Sequence, residues 1–147
     1  MPLYFAFGSN LSRARLAARV TIEEDLGRSQ VVGWRFTCDK EGSDDSAKAN
    51  LVQRAGSEVW GVTYALSHAA ISQLDVFEDG YARVEVEVLT AGTRQTAFTY
   101  VSDHRNDSLL PYDWYKAYIV EGAVEHDLPD EHVAVLQALA SRRDPRR

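Results

Sequence analysis

Cysteine is almost absent: Cys38 is the only one in 147 residues. No disulfide can close within the chain, and so low a thiol content suits a reducing cytoplasm, where the protein is expected to work. No apolar run is long enough to cross a bilayer, so no membrane partner is expected. The opening MPLYFAFGSN lacks the basic leader, long apolar stretch and small-residue cleavage site of a secretion signal. Positive charge is in the minority, with a formal net charge of −6. Most of such a surface would repel phosphates, and no nucleic-acid partner is expected. The four histidines, His68, His104, His126 and His132, form no close ligand pair. With one cysteine beside them no metal site is expected, and they are read as surface residues.

Several catalytic signatures are also missing. The phosphate-loop patterns G-x-x-x-x-G-K-[ST] and G-x-G-x-x-G do not occur. Ser9 follows a predicted strand and precedes a helix, but its G-S-N setting is not the G-x-S-x-G elbow of a serine nucleophile. Cys38 lies in a predicted strand and reads as a small core residue.

What the chain does have is an ordinary globular composition, with 45% apolar and 26% charged residues. That is enough for one domain over residues 1–140, followed by a basic tail, 141–147 (SRRDPRR), expected to be flexible and solvated. Residues 3–7 read as a strand, and Asn10 or Ser12 could cap a helix through about 20. Residues 30–38 form a second strand candidate. The stretch DKEGSDDSAK (39–48) has no apolar anchor and is expected to be a mobile loop. A short strand at 49–53 and a longer one at 58–66 follow. Ser67 can cap a helix carrying Ala70, Ile71, Leu74 and Phe77 at helical spacing and ending near Glu78-Asp79-Gly80. In YARVEVEVL, Val84, Val86 and Val88 alternate with Glu85 and Glu87, as on a strand with one wet face. Residues 95–101 should return antiparallel. Asp113 can cap a helix through about 120, and a last helix beginning near Pro129 should turn Val133, Leu136 and Leu139 inward. Trp114 reads as either an interface or a core residue, and the oligomeric state is left open. Strands outside strict βαβ alternation favour an α+β fold with a mixed or antiparallel sheet, and the pattern alone does not decide whether it closes.

Two places could carry chemistry. At Gly8-Ser9-Asn10 a buried strand breaks into a polar turn whose backbone N–H groups could bind an anion, or the turn could simply cap a helix. In LDVFEDGY, Glu78 stands at a helix C-terminus, where the dipole disfavours it, beside Leu74 and Phe77. Partial burial there would raise its pKa toward neutrality, as a general acid–base requires.

Four stretches in order, YFAFGSNL (4–11), EVWGVTYAL (58–66), LDVFEDGY (74–81) and WYKAYIVEGA (114–123), resemble the γ-glutamylcyclotransferase-like family. The resemblance implies a small mixed-sheet barrel with a few flanking helices. It implies an enzyme that cleaves a γ-glutamyl amide by attack of the substrate's own α-amine, releasing 5-oxoproline and an amine. Glu78 would be the catalytic acid–base. Phe7, Gly8, Ser9, Asn10 and Leu11, with Tyr81 and Tyr115, would bind the substrate, and no cofactor or metal would be needed. Candidate substrates are γ-glutamyl dipeptides, γ-glutamyl amines, glutathione and carrier-linked γ-glutamyl groups, with a lean to small amines or dipeptides. Relatives usually carry Tyr where this chain has Phe7, and the short span from Glu78 to Tyr81 leaves little chain for a lid. The alternative is a catalytically inactive module that binds a γ-glutamyl group or carboxylate in the same pocket.

Overall fold

The computed structural model describes all 147 residues. In chain order the elements are strand β1 (Leu3–Ala6), a 3-10 turn (Ser9–Leu11), α1 (Arg13–Arg19), β2 (Glu24–Glu41), β3 (Ala47–Ala65) and α2 (His68–Phe77). They continue with β4 (Ala82–Thr90), β5 (Thr93–Val101), α3 (Asp113–Glu125) and α4 (Asp130–Gln137). The strands close into a barrel in the order β1-β3-β2-β4-β5. Every pairing is antiparallel except β1 with β5, so the sheet is mixed. The expected α+β barrel is therefore the fold observed.

The long β2–β3 hairpin departs most from expectation. β3 is one strand where two were expected, because the ladder crosses Arg54, Ala55, Gly56 and Ser57 by a wide irregularity. Val32 pairs with Glu58 and Trp34 with Gln53, leaving those four residues opposite Gly33 alone. Gly33 and Gly56 both take left-handed backbone angles there, φ +89° and +84°, which let the hairpin bend without a Cβ clash. The segment 39–48 is no mobile loop either. β2 runs on to Glu41 and β3 begins at Ala47, leaving a short turn between them. Asp39, Lys40, Ser46 and Ala47 are buried, and the strand is held from outside by Glu41 N–H donating to His104 O (2.8 Å) and Asn106 N–H to Asp39 O (2.7 Å). Composition concealed this because the anchoring partners lie some sixty residues later in the chain.

Alternation in β4 has the expected sense, with Val86 and Val88 buried and Glu85 and Glu87 exposed. Ser12, rather than Asn10, caps α1, its hydroxyl accepting from Arg15 N–H at 3.2 Å, and Ser67 caps α2 by accepting from Ala70 N–H. Asp113 is the first residue of α3, not its cap, and accepts from the Ser141 hydroxyl. On α4 Leu136 is fully buried and Val133 half-buried, and Leu139, just past the helix end, is half-buried too. The tail does pack. Asp144 is buried and accepts from the Trp114 indole N–H at 2.9 Å, and Arg146 donates to the Tyr112 hydroxyl at 2.9 Å. Its cations find the aromatic faces of Tyr112 and Trp114, a contact that charge counting alone overlooks.

Candidate active site

One end of the barrel opens on a cleft of about 230 Å³. Its floor is the segment joining β1 to α1. After Ala6 the chain leaves the sheet through Phe7 and Gly8, then makes the 3-10 turn, in which Leu11 N–H donates to Gly8 O (3.0 Å) and Ser12 N–H to Ser9 O (3.2 Å). Gly8 N–H donates to no group in the protein. The N–H groups of Ser9 and Asn10 stand in the first positions of the turn, where no intrahelical carbonyl reaches them. Gly8 is required by space: a Cβ there would lie 2.7 Å from the Ala49 Cβ.

Phe7, Gly8, Ser9, Asn10, Glu78, Tyr81 and Tyr115 all line this cleft. Leu11 does not. Its side chain is fully buried in the main apolar cluster and its N–H is spent on Gly8, so as a substrate contact it is corrected to a core residue.

Glu78 caps α2 and turns back over the floor. Its side chain is 13% exposed, and Oε1 accepts from Asn10 Nδ2 at 3.1 Å, with an Arg19 Nη 3.9 Å away. Burial raises its pKa above the ordinary glutamate value. Arg19, the Asn10 hydrogen bond, Arg15 and Lys40 oppose that rise without cancelling it. The neighbouring acids are placed differently. Asp75 accepts from the Tyr100 hydroxyl (2.6 Å) and pairs with Arg83 (3.1 Å), and Asp79 is exposed.

Asn10 links the parts. Nδ2 also donates to the Tyr4 hydroxyl at 3.0 Å, while Oδ1 is buried with no partner. Two donors committed to oxygens fix the amide's orientation. Tyr115 and Tyr81 are held through one residue: Ala49 N–H donates to the Tyr115 hydroxyl (2.8 Å) and the Tyr81 hydroxyl donates to Ala49 O (2.6 Å). Burial raises the pKa of both phenols, so they act as neutral hydrogen-bonding groups. Burial likewise pushes the Cys38 thiol up to about 12, which removes it as a nucleophile at neutral pH.

The cleft also holds cations that the sequence reading did not select: Arg15 and Arg19 from α1, Lys40 from β2 and Lys48 from β3. Arg15 donates to Ser9 Oγ at 3.0 Å, lies over the Tyr118 ring, and has no carboxylate partner. Arg15 and Arg19 are four apart directly after the Gly-Ser-Asn turn, a signal available in the sequence. Lys40 and Lys48 had none, because they sit in the segment read as a loop. The turn between β2 and β3 also supplies Gly42, Ser43 and Asp44 to the cleft wall.

Behind the floor, the buried Tyr64 hydroxyl donates to Leu11 O (3.2 Å) and Asn10 O (3.3 Å). His126 is no surface histidine. Its side chain is 7% exposed, its Nε2 lies 2.8 Å from an Asp25 carboxylate oxygen and its ring packs edge-on to Tyr64. Tyr64→Phe should lower the unfolding free energy by about 1 kcal/mol in urea denaturation, since the turn's carbonyls lose their buried donor.

In this closed mixed barrel a largely buried glutamate is hydrogen-bonded to the Gly8–Asn10 turn in a cleft lined by four cations. A sequence model of the AIG2-like family matches residues 58–136, more than half of the chain. The γ-glutamylcyclotransferase of Mus musculus is 30% identical over 147 residues, covering 93% of this chain and 78% of its own length, and that of Homo sapiens is 29% identical with the same coverage. A solved γ-glutamyl cyclotransferase superposes with a TM-score of 0.88 at 27% identity, covering 95% of this chain and 88% of that one. The chain belongs to the AIG2-like, γ-glutamylcyclotransferase family.

Proposed function

We propose that this protein is a cyclotransferase that cleaves a γ-glutamyl amide, forming 5-oxoproline and releasing an amine or amino acid. The observation that carries the reading is the pairing of Glu78 with the turn. A half-buried carboxylate with a raised pKa faces, through Asn10, the segment whose N–H groups are uncommitted.

The parts fit the chemistry. A γ-glutamyl compound carries its own nucleophile, but as an α-ammonium ion at neutral pH. The Glu78 carboxylate takes one proton from it. The freed amine attacks the γ-carbonyl and closes a five-membered lactam. The negative charge that develops on the carbonyl oxygen faces backbone N–H donors of the turn. The protonated Glu78 then gives its proton to the departing nitrogen as the C–N bond breaks, and the second proton of the attacking nitrogen passes through the regenerated carboxylate to the released amine, which leaves as an ammonium ion. The cationic lining, Arg15 above all, attracts the substrate's carboxylate.

Most of the acceleration comes from holding the ring-forming conformer, because effective molarities for oriented intramolecular attack reach roughly 10⁵–10⁸ M. The acid–base contributes a further ~10²–10⁴-fold. A module that only bound a carboxylate would gain nothing from a buried glutamate in the same cleft, which favours the catalytic reading over the binding one.

The test is mass-spectrometric detection of 5-oxoproline after incubation with γ-glutamyl dipeptides, γ-glutamyl amines and glutathione in parallel. Turnover of at least one class is expected, and its identity names the leaving amine. A folded protein that binds 5-oxoproline in calorimetry yet turns over none of them would instead be the binding module.

A further inference from the structure

Lys40 stands out among the cleft residues. It is 7% exposed, yet no carboxylate lies within ion-pair distance of its ammonium. Burying a cation in this way is unfavourable unless other groups replace its hydration. Here they all come from the loop that carries the acid–base. Nζ donates to Asp79 O at 2.7 Å and sits 4.9 Å from the centre of the Tyr81 ring. It also fills the space beside Gly80, where a Cβ would come within 2.8 Å of it. Gly80 has φ +80°, so the loop is tight at the point where the ammonium presses on it.

The lysine's own backbone is fixed on both sides. Lys40 pairs with Lys48 across the hairpin and bridges to Arg105. A rigid strand thus delivers a positive charge to a loop that otherwise hangs from the end of α2 by Ser102 Oγ donating to Gly80 O (2.7 Å) and Tyr81 Oη donating to Ala49 O.

We propose that Lys40 is a positioning residue for Glu78: it clamps the 78–81 loop through Asp79 O and the Tyr81 ring, and holds a positive charge in the same cleft as the carboxylate. The proposal rests on Glu78 being the acid–base of the cyclisation. Other groups face that carboxylate too: Arg15 and Arg19 from α1, Asn10 from the turn, Tyr4 from β1, Tyr100 from β5, Tyr81 from its own loop and Tyr115 from α3. The tyrosines are neutral, and the arginines approach from α1 without touching the loop's backbone. Lys40 alone combines charge with a hold on that backbone.

The sign is fixed by the mechanism. Activity needs the Glu78 carboxylate, so kcat falls as pH drops through its pKa. Removing a nearby cation makes ionisation harder and moves that limb to higher pH. Lys40→Met, similar in length and neutral, should therefore shift the acidic limb upward. It should lower kcat by on the order of tenfold to a hundredfold, since small misplacements of a reacting group have effects of that size, with KM changed less. Lys40→Arg should restore the position of the limb while recovering kcat only in part, because a guanidinium is too broad for the space beside Gly80.

A second readout does not depend on turnover. The pH titration of the Glu78 side-chain carboxyl carbon, followed by NMR in the free protein, should move upward in Lys40→Met and return in Lys40→Arg. If wild type forms no 5-oxoproline, the cyclotransferase reading fails and this titration decides the role of Lys40 by itself. A folded Lys40→Met protein with an unmoved Glu78 titration would overturn the proposal, whatever its activity. If Lys40→Met does not fold, Lys40→Gln, which keeps a donor for Asp79 O but loses the charge, carries the same expectation and the same refutation.

Discussion

Glu78→Gln should remove turnover by at least ~10²–10⁴-fold while leaving the protein folded and no less stable at neutral pH. The amide keeps the shape of the carboxylate, and its oxygen can still accept from Asn10 Nδ2, the bond now 3.1 Å long. What it loses is the ability to take a proton from the α-ammonium and return one to the leaving nitrogen. The stability half follows from the direction of the pKa shift. Burial raises the Glu78 pKa, so the folded state prefers the protonated, neutral form. The stabilising contribution of that preference is fully present below the unfolded-state pKa. It is lost as pH rises through the raised folded value, leaving the charged form as a net burden. Glutamine resembles the neutral form at every pH. Thermal melts of the two proteins should therefore converge at acidic pH, and above the raised pKa the variant should melt at the same temperature or higher. A stable, inactive variant separates a catalytic carboxylate from a structural one; an active variant would end the mechanism.

The second large effect is expected at a residue outside the cleft, where α3 backs the floor turn. In Gly122→Ala the new Cβ would lie 2.2 Å from the Leu11 carbonyl carbon and 2.3 Å from Ser12 N. Both are backbone atoms at the end of the floor turn, so neither can swing aside as a side chain would. Replacing an interior helical glycine with alanine ordinarily gains up to about 1 kcal/mol from helix propensity. Overpacking a close contact typically loses about 1–3 kcal/mol, occasionally more, and contact with a peptide bond puts this site at the upper end. The clash wins. Gly122→Ala should lower the Tm by roughly 5 °C or more. Because the yielding element is the turn itself, kcat/KM should fall in the protein that remains folded at assay temperature. An unchanged Tm would mean that α3 and the turn stand further apart than described.

That glycine shows how unevenly the structure was written into the sequence. Local signals were readable: Ser67 as a cap, the alternating valines of β4, the stop of α2 at Glu78. The order of four motifs pointed to the barrel and to one acidic residue among three. The reasons behind the motif glycines were not readable, because they lie in contacts between segments distant in the chain. Gly61 leaves room for Ala6 O, where a Cβ would lie 2.2 Å away, and Gly122 leaves room for Leu11 and Ser12. Polar segments misled in the same way. DKEGSDDSAK looks like solvent-loving loop, yet Asp39 is buried against Arg105 and Lys40 against the 78–81 loop. The tail reads as free charge until Tyr112 and Trp114 are seen to hold it. Leu11 sat inside a binding motif and was assigned with its neighbours, although one residue further round the turn points into the core. Charge and periodicity describe what a segment offers, while burial depends on what arrives later to meet it.

The central claim is that the substrate's own amine, and not water, attacks the γ-carbonyl. Turnover in water enriched in oxygen-18 tests it most directly. Wild-type protein should yield 5-oxoproline without the heavy isotope, equimolar with the released amine, and Glu78→Gln should yield neither above the uncatalysed background. Glutamate carrying oxygen-18 in its side-chain carboxylate would mean hydrolysis, and would contradict the account.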